Sequence, residues 1–366
     1  MTLKPKILDR YIMKKFIMTF LIALLIIIAI VIIFDISEKI ENFVQHEVPI
    51  KSIIFDYYIN FIPYFINMFS PLFVFITVIF FTSIMASNSE IIAILSGGVS
   101  YHRMMVPYLV SAALIALLSL GLNLFVIPRS NASRVAFETK YIDQHYNYTK
   151  YSRNNVHYQI APGQFVYVQS FSAYNNTAYK FTLESIEDNK LVSKLTAESA
   201  VWDSTMDGWH LRRYFIRDYT KGLEDHVRCG EALDTVIALK LSDFYRNQKT
   251  VETLTQKDLE ALIATQKMRG DANVMYAQIK KNRRMTLPFS AFILTIMAVA
   301  LTSHKKRGGI GFNIALGIGL AFLYILFLKF SEMFVFTGTL SAGLALWLPN
   351  FVYIIIAAIL YKMAPK

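Results

Sequence analysis

Two sets of residues in this 366-residue chain have the types and spacing to do chemistry. The first is cationic: Lys39, Arg129, Arg134, the run Lys280, Lys281, Arg283 and Arg284, and Lys329, each at the edge of a long apolar stretch. Arginine forks and lysine point charges bind phosphate groups, whereas basic side chains near a helix end also reach for lipid headgroups. Residue type alone leaves both roles open. Lys329 has Glu332 three residues on, one helical turn away, so the two face each other as a pair. The second set is the segment SEIIAILSGGVSYHRM, Ser89 to Met104. Glu90 opens a short helix, Ile91, Ile92, Ile94 and Leu95 make it apolar, and Gly97-Gly98 ends it. A short apolar helix with one carboxylate, and no Lys or Arg before Arg103, suits a groove on a protein partner better than a lipid surface.

Catalytic motifs are absent. There is no GxxxxGK[ST] to cradle ATP phosphates, and no HExxH, CxxC or GxSxG. His226-x-x-Cys229 is the closest approach to a metal pair and has no third ligand nearby. As the one cysteine, Cys229 cannot close an intramolecular disulfide. The chain is read as a protein without a cofactor, a metal or an enzymatic activity of its own.

The elements that must carry these residues follow from composition. With 55% hydrophobic and 17% charged residues, the chain is too apolar for one soluble globule. Its net charge of +11 would suggest nucleic acid, but the charges are segregated. Arg129 to Arg284 holds 41 of the 63 charged side chains, which describes a membrane protein with one soluble insert and no nucleic-acid surface. Uncharged or nearly uncharged stretches at Phe16–Phe34, Ile53–Met85, Met104–Ile127, Met285–Ser303, Ile310–Phe330 and Leu344–Tyr361 predict six transmembrane helices, three before the insert and three after. Phe16–Phe34 lacks an Ala-x-Ala site and reads as a retained span rather than a signal peptide. Pro63 and Pro71 should kink the second span. Lys4, Lys6, Arg10, Lys14 and Lys15, the loop His304–Arg307, and Lys362 and Lys366 place both termini in the cytoplasm and the insert outside.

Within the insert, VHYQI, QFVYVQSF, YKFTLESI, KLVSKLTAESAVW, WHLRRYFIRDY and ALDTVIAL alternate with a period near two between turn signals. They predict an antiparallel sandwich, jelly roll or barrel, whose aromatic residues either fill its core or line an apolar groove. TQKDLEALIATQKMR then predicts a helix over 255–269 capped by Thr255, and a further helix should run from near Asp271 into the fourth span. The expected parts are residues 1–128 with spans one to three and a short helix near 88–98, a β-domain over 129–254, a helical connector over 255–284, and residues 285–366 with spans four to six.

Several of these stretches resemble the LptF/LptG permeases: LDRYI (8–12) before the first span, the SEIIAILSGGVSYHRM loop, QFVYV (164–168), LPNF (348–351), and the three-insert-three order. The LDRYI opening is nearer the LptG branch. The resemblance implies an α-helical polytopic protein of the bacterial inner membrane carrying a periplasmic β jelly roll. It implies a paired permease whose partners are a second LptF/LptG-type subunit, an LptB-type cytoplasmic ATPase, LptC/LptA-type periplasmic β-proteins and lipopolysaccharide. On that reading Glu90, Ile91, Ile94, Leu95 and Gly97 couple to the ATPase. Lys39, Arg129, Arg134, Lys280, Lys281, Arg283, Arg284 and Lys329 would then face the phosphates of lipid A. Asp35 and Glu38 at the outer end of the first span sit where family members can carry a basic residue. Two other classes remain open on the residues alone: an ion-driven secondary transporter, which would want charges at mid-membrane, and a membrane scaffold whose β-domain binds a periplasmic protein.

Overall fold

The computed structural model describes residues 6–142, 153–219, 226–245, 248–271, 273–303 and 309–364. In chain order its helices are α1 (Ile7–Gln45), α2 (Ile50–Ser87), α3 (Glu90–Ser96), α4 (Tyr101–Tyr141), α5 (Leu241–Tyr245), α6 (Gln248–Thr253), α7 (Gln256–Met268), α8 (Val274–Thr302), α9 (Gly309–Phe336) and α10 (Ala342–Met363). The chain divides into one compact unit of Met1–Arg134 with Gln278–Lys366, and a second of Val135–Ala277. The loop His304–Arg307, part of the orientation argument, lies outside the described residues.

In the first unit, α1, α2, α4, α8, α9 and α10 are long and apolar enough to cross a membrane. α1 contains neither proline nor glycine and runs unbroken for 39 residues. Twenty residues separate Lys15 from Asp35, about 30 Å of helix, which matches the hydrocarbon thickness of a bilayer. α2 accommodates Pro63 and Pro71 inside the helix. The irregularity lies upstream, in a π-helical turn at Ile53–Tyr58, and α4 has a second one at Leu122–Val126. Each turn stands shortly before a proline, Pro63 or Pro128, whose missing N–H and crowding ring disturb the carbonyls one turn back. Side chains interlock across the helices: Phe16 and Tyr108 both pack on Phe81, with ring centroids 5.6 and 5.4 Å away. Some polar groups in this interior pair across helices. Asn67 Oδ1 accepts from Ser119 at 2.6 Å and from Asn123 at 3.1 Å, and Tyr324 donates to Asn350 at 2.8 Å.

In the second unit, β1 (Arg153–Ala161), β2 (Gln164–Ser172), β3 (Thr177–Glu187), β4 (Lys190–Asp203), β5 (Gly208–Asp218) and β6 (His226–Thr235) form one six-stranded antiparallel sheet in sequence order. Alternation puts Val166, Val168, Phe181, Leu195, Ala197 and Leu211 on a buried face. Phe244 from α5 covers it, stacked on Phe171 at 4.2 Å, and both aromatic rings sit in the core rather than in an open groove. The β1–β2 turn needs Gly163, whose φ is +74° and whose absent Cβ would meet Ile186 O at 2.4 Å.

One strand differs from the alternation reading. The sixth begins at His226 and stops at Thr235, so Val236 to Leu239 lies beyond it. β6 is an edge strand exposed on both faces, which erases its apolar alternation. The apolar residues after it instead leave the sheet: Leu239 is fully buried and its carbonyl accepts from Trp209 Nε1 at 2.8 Å.

Candidate functional site

The first unit carries charged and aromatic clusters at both ends of its spanning helices. At one end, the aromatic ridge Tyr57, Tyr58, Phe61 and Tyr64 climbs α2 from its π-helical turn. Tyr64 is a platform for two cations: the Arg134 guanidinium lies 4.5 Å and the Lys280 ammonium 5.3 Å from its ring centroid. Beside it a pocket is lined by Asn67, Asn123, Lys280, Arg283 and Arg284, with Asn123 in the second π-helical turn. Arg284 is 2% exposed, placed well inside the helices rather than at a surface. Arg283 Nη1 lies 3.2 Å from Glu332 Oε1, and Lys329 Nζ bonds Glu332 Oε2 at 3.1 Å, so the pair expected on α9 is a triad. All four basic residues of 280–284 sit inside α8. Lys281 is half-buried and Arg129 is exposed.

Lys39 is placed differently. It bonds the Asp35 carboxylate and the Tyr57 hydroxyl, with Tyr58 donating to the other Asp35 oxygen at 3.1 Å. The ammonium also lies over the Tyr57 ring, 4.7 Å from its centroid. Asp35, noted in the sequence as a departure at this position, therefore neutralises the one basic residue of α1 in this region. Residues 35 and 39 are one turn apart on a helix, and that spacing draws the two together.

At the other end, α3 is set between two left-handed corners, Ser89 (φ 61°) and Gly98 (φ 82°). Its stripe Ile91, Ile94 and Leu95 faces the protein's own core: Ile91 is 1% exposed and the other two are half-buried. A partner would meet Ile92, 52% exposed, with Ala93, Ser96 and Gly97. The sequence could not choose the outward side of a helix that is apolar all round. Glu90 is not solitary either. It accepts from Tyr11 at 2.7 Å and from Lys15 at 3.3 Å, both on α1. Desolvation is the largest influence on its carboxyl and pushes the pKa up, but the bonds from Tyr11 and Lys15 together outweigh it and hold the group below its ordinary value. Asp9 takes a two-pronged bond from Arg103, at 2.8 and 2.6 Å, and His102 meets the Tyr361 hydroxyl at 3.0 Å.

In the β-unit, His226 and Cys229 lie three apart on β6. Odd spacing on a strand turns two side chains to opposite faces, so this pair does not converge on a metal.

Sequence reading missed Tyr64, Asn67, Asn123, Tyr11 and Lys15. The aromatic spacing of α2 at 57, 58, 61 and 64 was a visible signal; the contacts with α1 and α4 were not, because they join residues 52 to 94 positions apart. The family model for the lipopolysaccharide export system permease LptF/LptG, a single model for both branches, matches residues 10–363. A comparison with individual curated proteins finds no match.

Proposed function

The chain belongs to the LptF/LptG family of lipopolysaccharide export permeases, and from that premise we propose that it is one half of a paired permease driven by a separate LptB-type cytoplasmic ATPase. It is an inner-membrane transporter subunit, not an enzyme on its own. In this reading α3 and both termini are cytoplasmic and the β-unit is periplasmic. Lipopolysaccharide is taken from the outer leaflet and passed to LptC/LptA-type β-proteins.

One observation carries the reading: the two ends of the same spanning helices are chemically different. One end offers α3, a short helix with Ile92 and Ala93 outward and Glu90 at its start, the shape and polarity of a segment that docks in a protein groove. The other gathers Arg134, Lys280, Arg283 and Arg284 around Tyr64, Asn67 and Asn123, a set able to hold phosphates beside apolar helices. Lys329 shares Glu332 with Arg283, and Arg129 and Lys281 lie on the same helices as Arg134 and Lys280. Lys39 joins it only if a phosphate displaces Asp35.

The test has two arms. The protein purified with its membrane partners should retain the ATPase, and Ile92→Asp, at an exposed position, should release it. Photo-crosslinkers at Arg134 and Lys280 should label lipopolysaccharide. Retention of the ATPase by Ile92→Asp would remove α3 as its dock. Labelling of bulk phospholipid alone would reduce the basic end to headgroup contacts.

A further inference from the structure

The short helix α3 is tied to α1 through Glu90, and the start of α4 is tied to α1 through Arg103. Glu90 receives the Tyr11 hydroxyl at 2.7 Å and the Lys15 ammonium at 3.3 Å from each carboxylate oxygen, while Lys15 also donates to Tyr11 at 2.7 Å, which closes a three-membered ring. Tyr11 and Lys15 are four apart on α1 and share a face. In the first turn of α4, which follows α3, Arg103 forks onto Asp9, a residue 7% exposed whose second support is the Lys6 N–H at 2.9 Å. Between Asn88 and His102 the chain has one charged side chain, Glu90. The carboxylate that opens α3 is thus its only electrostatic handle, and α1 holds it.

α1 is also suited to carry a displacement. It alone among the six spanning helices has neither proline nor glycine, and sharp bends need one of these or a π-turn. Both π-helical turns lie in other helices, α2 and α4. Beyond the bilayer length, α1 is grasped again at Asp35 by Tyr57 and Tyr58, at the π-helical start of α2.

We propose that Tyr11 and Lys15 are the positioning residues of the coupling helix and, by holding Glu90, make α1 and α3 one body, with the Asp9–Arg103 fork fixing the start of α4 to the same stretch of α1, so that movement of α3 is carried along α1 to the Asp35–Tyr57–Tyr58 contact. This rests on the function just given, because it assumes that a partner moves α3. The pair is tested by charge exchange in the full assembly in vesicles. Lys15→Glu and Glu90→Lys should each lower lipopolysaccharide release per ATP hydrolysed by about tenfold or more, and the double exchange should recover most of it. In the protein without ATPase, each single substitution should speed amide exchange of residues 90–96 by about tenfold, with recovery in the double. Spin labels at Ser96 and Ser37 should keep their separation through the nucleotide cycle. A Lys15→Glu protein with wild-type exchange, a double exchange no better than its worse parent, or a changing 96–37 separation would each overturn the proposal. If the wild-type protein takes no ATPase, the function reading falls, while the exchange measurement still decides whether Lys15 holds Glu90.

Discussion

Glu332 offers the sharpest perturbation of the basic end. Its two oxygens face Arg283 at 3.2 Å and Lys329 at 3.1 Å, and its side chain is 12% exposed against 23% and 50% for the cations. A unit pair at that separation is worth about 5 kcal/mol of bare Coulomb energy at an effective dielectric near 20. Desolvation removes most of it, leaving roughly 1–2 kcal/mol. If the basic end receives phosphates, Glu332 is the internal anion that a phosphate must outcompete for Arg283. Glu332→Gln keeps the shape and an acceptor but deletes the charge. Lipopolysaccharide should then bind about five- to thirtyfold tighter, the same energy read as an affinity. Arg283→Gln should bind more weakly. The assay is titration of lipopolysaccharide into the nanodisc-embedded protein, read by crosslinking from Arg134, where neither substitution alters the probe. Equal or weaker binding in Glu332→Gln would mean that the triad is a strut between α8 and α9, and the competition argument would be lost.

Three further outcomes follow from the fold. Phe244→Ala removes a fully buried ring stacked on Phe171 and close to Trp209; it should cost the β-unit about 3–5 kcal/mol, read as faster proteolysis within 135–277 and red-shifted tryptophan emission. Gly163→Ala forces a Cβ against Ile186 O at a left-handed position and should cost about 1–3 kcal/mol, seen as faster exchange across β1–β3; unchanged exchange would refute the turn geometry. For Glu90, a carboxyl held below its ordinary value stabilises its contacts fully above that value and loses them as pH falls through the lowered one. Protection of amides 90–96 should therefore be flat from pH 8 to 6 and decline only below 4.5, and a transition near neutrality would assign the loop's order to another group.

How much of this was legible in the sequence depended on the range of the contact that fixes each feature. Span number and order follow from local apolar length, so all six spanning helices could be read, as could the Thr255 cap of α7, whose hydroxyl accepts from Asp258 N at 3.3 Å. The helices α5 and α6 could not. At five and six residues they have no periodicity to detect, and α5 is held by Phe244 against Phe171, a residue 73 positions earlier. β6 was misplaced because an edge strand shows no buried face, and a run such as Val236 to Leu239 looks like a strand whether or not it pairs.

The charges show the same division and change what the excess of +11 can mean. Lys329–Glu332 was readable because a spacing of three is one turn; Arg283–Glu332, Lys15–Glu90 and Arg103–Asp9 join separate helices and have no local signature. Each takes a cation that a count along the chain leaves available. Three cations of the basic end are held by carboxylates as well. Lys39, Arg283 and Lys329 already face carboxylates, so an incoming phosphate must displace an anion to reach them. Arg134 and Lys280 also lie against the Tyr64 ring, a face that attracts cations. A phosphate held at that end would therefore have to outcompete Asp35 and Glu332 for those three cations. On this reasoning Glu332→Gln should change how tightly a captured lipid is held.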